Sequence, residues 1–186
     1  MQKEIKIVGI CGSLRKDSYN MKILKSVGNL LPDNLEINIA EIAELPMYNE
    51  DLDIPDNLPQ AVVEFVNILK NADGFVIISP EYNYAVPSVL KNALDWASRS
   101  KDLPLSGKPV SIMGATPGMS GTARMQVQLQ SLCVMLNMQP IAKPDVLINA
   151  VHTKFDANGN FIDEQGKQHI IKNLENLVRL ILTNKK

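Results

Sequence analysis

The chain is poor in the residues that build metal and disulfide chemistry. It has two cysteines and two histidines in 186 residues. Cys11 ends an apolar run, Cys133 falls on an apolar helix face, and neither has a Cys or His at ligand spacing. Both read as small core hydrophobes, and such sparing use of cysteine fits a reducing compartment. His152 and His169 lie in polar segments and read as surface residues, again without metal-ligand spacing. An excess of one charge is also missing. With 19 Lys+Arg against 20 Asp+Glu the net charge is −1, so no bulk field draws nucleic acid or an anionic membrane surface. No apolar run approaches the ~18 residues of a membrane span. Met1-Gln2-Lys3-Glu4-Ile5 leads straight into a strand pattern, without the long apolar region of a secretory signal. A cytoplasmic protein is expected, with neither nucleic acid nor membrane as partner. Two glycine patterns are absent as well. G-x-G-x-x-G, which brings a pyrophosphate close to a helix, does not occur, and no Gly-Lys-Ser/Thr follows the first glycine turn. No Cys-His or Ser-His-Asp arrangement demands nucleophilic catalysis.

What is present is a regular alternation. Ile5–Cys11 is an apolar run that reads as a strand. Met21–Leu31 sets Ile23, Leu24, Val27, Leu30 and Leu31 on one helical stripe. Leu35–Ala40 alternates as a second strand, after the turn Pro32-Asp33-Asn34. Ile42–Leu58 is rich in Pro and Asp and reads as a long loop, of a length that is often functional. Ala61, Val62, Phe65, Val66 and Leu69 mark a second helix. Gly74–Ser79 is continuously apolar, as in a strand buried on both faces. Pro87 suits the first turn of a helix striped by Leu90, Ala93, Leu94 and Ala97. Pro109–Ala115 is a fourth strand, followed by a helix with Met125, Leu129, Leu132, Cys133 and Leu136. Pro140–Ile148 supplies a fifth strand, interrupted near Pro144, and Ile170, Leu174, Leu177 and Ile181 line a last helix. At 45% hydrophobic content, residues 1–186 form one domain with room for a core. Five strands alternating with five helices imply a parallel sheet covered on both faces. Ligands of such sheets bind beyond the C-terminal strand ends, so the turns after strands one, three and four are the site candidates.

The first turn runs Gly12-Ser13-Leu14-Arg15-Lys16-Asp17-Ser18-Tyr19-Asn20. Backbone N–H groups at a helix N-terminus favour an anion. Ser13, Ser18 and Asn20 add neutral donors and Arg15 a charged one. That set suits a terminal monophosphate; the alternative is a plain N-cap by Ser18 or Asp17 with Arg15 solvated. The second turn, Ser79–Pro87, carries Tyr82 and Tyr84 and could lie along a flat ring, or be a rigid turn with two surface tyrosines. The third, Gly114–Gly121, is built of small residues that let backbone approach a ligand, or is an ordinary glycine-rich turn.

Three stretches carry a resemblance: GSLRKDSYN, SPEYNYAVPSVLKNALDW, and the small-residue loop before Thr122-Ala123-Arg124. Together they resemble the NADPH-dependent FMN reductase family, which includes quinone, azo-dye and chromate reductases. The likeness runs from Ile5 through the last helix. It implies an α/β, flavodoxin-like three-layer sandwich with a five-stranded parallel sheet in the order 2-1-3-4-5, and non-covalent FMN. It implies that Ser13, Arg15, Ser18 and Asn20 hold the phosphate, with Tyr19 in the same cofactor loop. Pro80, Glu81, Tyr82 and Asn83 would pack beside the isoalloxazine. The loop from Ala115 to Gly121, with Thr116 and Gly118, would approach from the other side. NADPH or NADH would be the reductant, and a quinone, azo compound, metal oxyanion or free flavin the small-molecule acceptor. The resemblance also implies a homodimer or homotetramer, with Asp95-Trp96 on a helix involved in association. A partly exposed Trp96 suits an interface; internal packing is the alternative. A flavodoxin-type electron carrier is the rival function, and the balanced charge argues against it, since such carriers are strongly acidic.

Overall fold

The computed structural model describes residues 5–30, 35–55 and 57–185. Met1–Glu4, the turn expected at Pro32-Asp33-Asn34, and Leu31 of the first stripe lie outside the described residues. The elements run β1 (Ile5–Cys11), α1 (Tyr19–Val27), β2 (Leu35–Ala40), α2 (Gln60–Lys70), β3 (Gly74–Ile78) and α3 (Ser88–Arg99). They continue through β4 (Pro109–Ala115), α4 (Ala123–Met135), β5 (Gln139–Pro140), β6 (Val146–Ile148) and α5 (Glu164–Asn184).

The strands pair in parallel in the order β2-β1-β3-β4-β5, and β6 also pairs with β4. The expected fifth strand is therefore two pieces that share the outer position beyond β4. Between them lies Lys143-Pro144, whose peptide bond is cis. Alternate strand residues feed two cores, as a side-chain period of two requires. Val8, Ile10, Phe75, Ile77, Val110 and Ile112 pack with Phe65, Leu69, Leu90 and Leu129 of α2, α3 and α4. Ile7, Cys11, Val76, Ile78 and Met113 pack with Leu24, Val27, Leu174 and Leu177 of α1 and α5. The layers are thus helix, sheet, helix. β3 and β4 are buried at every position, which is why their sequences are continuous apolar runs rather than alternating ones.

Three local details differ from expectation. α1 begins at Tyr19, because Ser18 caps it there, and Gly28–Leu30 continues as a 3-10 turn. Pro87 sits just outside α3 with extended ψ of 142°, and Ser88 is the first helical residue. Trp96 is only 1% exposed, so it is a core residue rather than an interface residue. Its indole N–H donates to the Pro46 carbonyl at 2.7 Å, and Tyr48 meets its ring edge-on at 5.0 Å. One turn earlier on the same helix face, the Asn92 amide donates to Pro46 O at 2.9 Å and accepts from Tyr48 N–H at 2.7 Å. The Asn and Trp of the KNALDW stretch therefore pin the long loop after β2 onto α3. Lys91 and Asp95 pair on the outer face at 2.7 Å.

Candidate functional site

The three turns leave the sheet side by side because two glycines allow it. A Cβ on Gly12 would overlap Ser79, and one on Gly114 would overlap Thr122 and approach Ser79 O at 2.6 Å. Gly12 N–H donates to Ile78 O at 2.9 Å, and Ser79 N–H donates to Met113 O at 3.1 Å. The backbones after β1, β3 and β4 are thus in direct register at one sheet edge.

In the first turn Ser13 is buried, and its Oγ accepts from Arg15 N–H at 3.3 Å. Ser18 is buried, and its Oγ accepts from Met21 N–H at 3.3 Å. The cap reading is therefore realised, and it shapes the turn. The Arg15 guanidinium donates to Asp17 O at 2.5 Å and lies 5.2 Å from the centre of the Tyr19 ring. The N–H groups of Leu14, Lys16, Tyr19 and Asn20 find no acceptor among the described residues. Donors left open beside an exposed arginine at a helix N-terminus are what a phosphate monoester requires. Beside Ser13, Arg15 and Lys16 lies a cavity of about 160 Å³ whose other walls include Met21, Glu41 and Ala43; Ser18, Tyr19 and Asn20 do not line it. Its far wall comes from the loop directly after β2. The sequence reading missed that wall, although position at a strand's C-terminal end was a usable signal.

Asn20 does something else. Its amide is buried, donating to Ala115 O at 3.0 Å and accepting from Ala115 N–H at 2.9 Å. Both ends are engaged, so Asn20 ties the first turn to the third. Tyr19 turns toward Phe155, with ring centres 5.4 Å apart.

The second turn is a two-residue hairpin. Tyr82 and Ala85 exchange backbone bonds of 3.2 and 2.9 Å around Asn83 and Tyr84, with φ of 50° and 66°. Tyr82 and Tyr84 are 50% and 64% exposed, so the turn offers ring surface to solvent. Pro80 precedes it, and its carbonyl accepts from Ser79 Oγ at 3.0 Å. The Glu81 side chain, 7% exposed, points away toward α4. Thr122 makes no side-chain cap bond to α4, and Glu81 supplies the acceptor instead, taking Met125 N–H at 3.0 Å. A carboxylate there also complements the helix dipole.

The third turn is held from outside. Thr116 N–H donates to Ile148 O at 2.9 Å, Val151 N–H to Thr116 O at 3.1 Å, and Ala150 N–H to Gly118 O at 3.2 Å. Gly121 and Thr122 take φ of 59° and 70° and swing the chain into α4. The segment 148–151, unremarkable in sequence, is therefore the third turn's support.

No group of His, Cys, Asp and Glu that could hold a metal occurs among the described residues. Burial pushes the Cys11 thiol up from its ordinary value, with the nearby Ser13 carbonyl and Ser18 opposing. It therefore sits beside the first turn as a neutral thiol rather than a thiolate. A larger cavity of about 240 Å³ lies between α2 and α3, lined by Leu58, Val62, Val66 and Trp96, and touches none of the three turns. What the turns bring together is Arg15 and a set of open N–H donors beside two walls of backbone and aromatic surface.

Comparison with known proteins identifies the family. The family model for NADPH-dependent FMN reductases matches residues 5–153. The chain is 42% identical over 177 residues to an NAD(P)H-dependent FMN reductase of Pseudomonas aeruginosa, covering 95% of each. It is 37% identical over 172 residues to a quinone reductase of Escherichia coli, covering 91% of this chain and 92% of that one. Among solved structures it superimposes on the flavoenzyme NAD(P)H:(acceptor) oxidoreductase of Paracoccus denitrificans. The TM-score is 0.87 at 30% identity, over 97% of this chain and 98% of the other. The matched stretch takes in all three turns of the site, and the chain belongs to the NADPH-dependent FMN reductase family.

Proposed function

We propose that this chain is an FMN-dependent NAD(P)H oxidoreductase that reduces a small acceptor, with quinones as the first class to test. The observation that carries the reading is the junction of a phosphate cradle with two walls at one sheet edge. Ser13, Ser18, Arg15 and the open N–H groups at the start of α1 would hold the FMN phosphate, since oriented donors and a cation offset a dianion. Pro80, Tyr82 and Asn83 would flank the ring on one side and Ala115, Thr116, Gly118 and Gly121 on the other. Asn20 and Glu81 would act from behind those walls, fixing their spacing. When bound, FMN supplies the hydride and electron transfer between NAD(P)H and acceptor. The protein's share is to bind, orient and leave one ring face open, and no side chain need serve as nucleophile. A relative named as a quinone reductase supports a quinone as acceptor; azo compounds, metal oxyanions and free flavin are the other candidates. The buried, free thiols Cys11 and Cys133 support a cytoplasmic setting. A homodimer or homotetramer is the proposed assembly.

The test is to load the purified protein with FMN, add NADPH or NADH without oxygen, and follow the flavin's visible absorption. Bleaching by NAD(P)H, followed by recovery of colour on adding a benzoquinone, is the expected result. A protein that takes up no FMN ends this reading. One that takes up FMN but cannot oxidise NAD(P)H alone is a carrier.

A further inference from the structure

The start of α4 grips the second turn at three points. Glu81 accepts from Met125 N–H at 3.0 Å. The Arg124 guanidinium stacks 4.2 Å from the centre of the Tyr84 ring and lies 3.8 Å from Glu81. Gln128, one helical turn on, reaches the hairpin's outgoing arm. Its Nε2 donates to Tyr84 O at 3.0 Å, and its Oε1 accepts from Val86 N–H at 3.4 Å. An amide that serves the carbonyl of one residue and the N–H of the second residue beyond it copies an adjacent β-strand.

The hairpin needs such a hold. Asn83 and Tyr84 are both left-handed, a costly backbone for residues with a Cβ. The two bonds between Tyr82 and Ala85 close the turn, but they do not fix its direction relative to the sheet. α4 does, and α4 is also the helix into which the third turn runs through Gly121 and Thr122. One helix therefore sets the distance between the two walls.

We propose that Gln128 is a positioning residue. It holds Tyr84–Val86 against α4 and so sets the width of the slot for the flavin ring. This rests on the reading of the second and third turns as the ring's walls.

The test is Gln128→Ala. Gln128 is exposed and alanine is the best helix former, so α4 keeps its structure. The dissociation constant for FMN should rise on the order of tenfold, the weight of two lost hydrogen bonds. In FMN-free protein, chymotrypsin should cut after Tyr82 and Tyr84 several-fold faster. Val127→Ala, an exposed neighbour with no bond to the turn, should match the parent in both. An unchanged cleavage rate in Gln128→Ala overturns the latch itself. Faster cleavage with unchanged FMN affinity overturns the second turn as a ring wall, and the positioning role with it.

Discussion

Arg15 has nothing of its own to stabilise. Among the described residues its guanidinium reaches only the Asp17 carbonyl and the face of Tyr19; Arg15 and Asp17 are exposed and Tyr19 is half-buried. An exposed cation in the same turn as open N–H groups has an anionic ligand as its natural partner. Arg15→Ala should therefore raise the FMN dissociation constant by roughly 10- to 100-fold, as loss of a hydrogen bond to a charged group does, and leave the melting temperature unchanged. Arg15→Lys should recover part of the affinity, since the charge remains but the two-pronged geometry is lost. Fluorescence titration of FMN checks both. Cys133 is the opposite kind of residue. Burial pushes its thiol from 9.0 up to about 12. The folded value lies above the unfolded one, so the stability it confers is present below pH 9 and lost as pH rises toward 12. Lys108 is lowered below 10.5 by burial, so it gains stability as pH climbs through the window under 10.5 and opposes the cysteine there. Cys133→Ala should flatten the alkaline fall in unfolding free energy by up to about 1.4 kcal/mol per pH unit. Urea titrations between pH 9 and 11 would show it; an unchanged slope would mean that the thiol titrates normally.

At the scale of elements, the sheet was legible and the ties between its turns were not. β1, β2 and β4 begin and end where the apolar pattern places them, because burial on one or both faces writes itself directly into a strand. The helix stripes were equally plain. Asn20 illustrates the limit. Its donor character suggested a phosphate ligand, yet its partner Ala115 lies 95 positions away, and no local pattern points there. The resemblance sets Glu81 beside the ring; in the structure its carboxylate serves α4, whose own cap residue makes no side-chain cap bond. Trp96 was open between surface and core, and a Pro46 carbonyl across the long loop decided it. Amphipathic polar residues declare that they will bond, not with whom. The small residues of the third turn suggest close approach to a ligand, whereas Gly12 and Gly114 matter for the protein atoms that lie against them. Gly114→Ala forces a Cβ into Thr122 and the Ser79 carbonyl and should cost about 1–3 kcal/mol by overpacking. Gly159, with open space at its Cβ position, serves as the comparison: Gly159→Ala strains only its own backbone. Paired chemical denaturation of the two variants separates crowding from strain, and FMN affinity should fall only for Gly114→Ala.

For the whole molecule, the proposed homodimer or homotetramer needs a surface that meets a second copy, and Trp96, being buried, does not supply it. Among the described residues no helix is long and apolar enough to cross a membrane. α4 shows exposed apolar side chains on its outer side: Val127, Val134 and Met135, with Met119 just ahead of the helix. Val127, Val134 and Met135 stand at i, i+7 and i+8, on one face. Arg124 is the one charged residue in the helix sequence ARMQVQLQSLCVM, and it is already committed to Tyr84 and Glu81. A face without like charges can meet its own copy about a two-fold axis, where each patch must complement itself. α5 is a poorer choice, because its outer side carries Lys172, Glu175 and Arg179. Val134→Glu would place two carboxylates near each other across such an axis and should shift the proposed homodimer or homotetramer toward a smaller species in sedimentation experiments. FMN binding should survive the change, because the three turns of the site come from one chain and Cys133, not Val134, faces the core. An oligomer unaffected by Val134→Glu would move the interface off α4, and a parent that sediments as a monomer would remove the need for one.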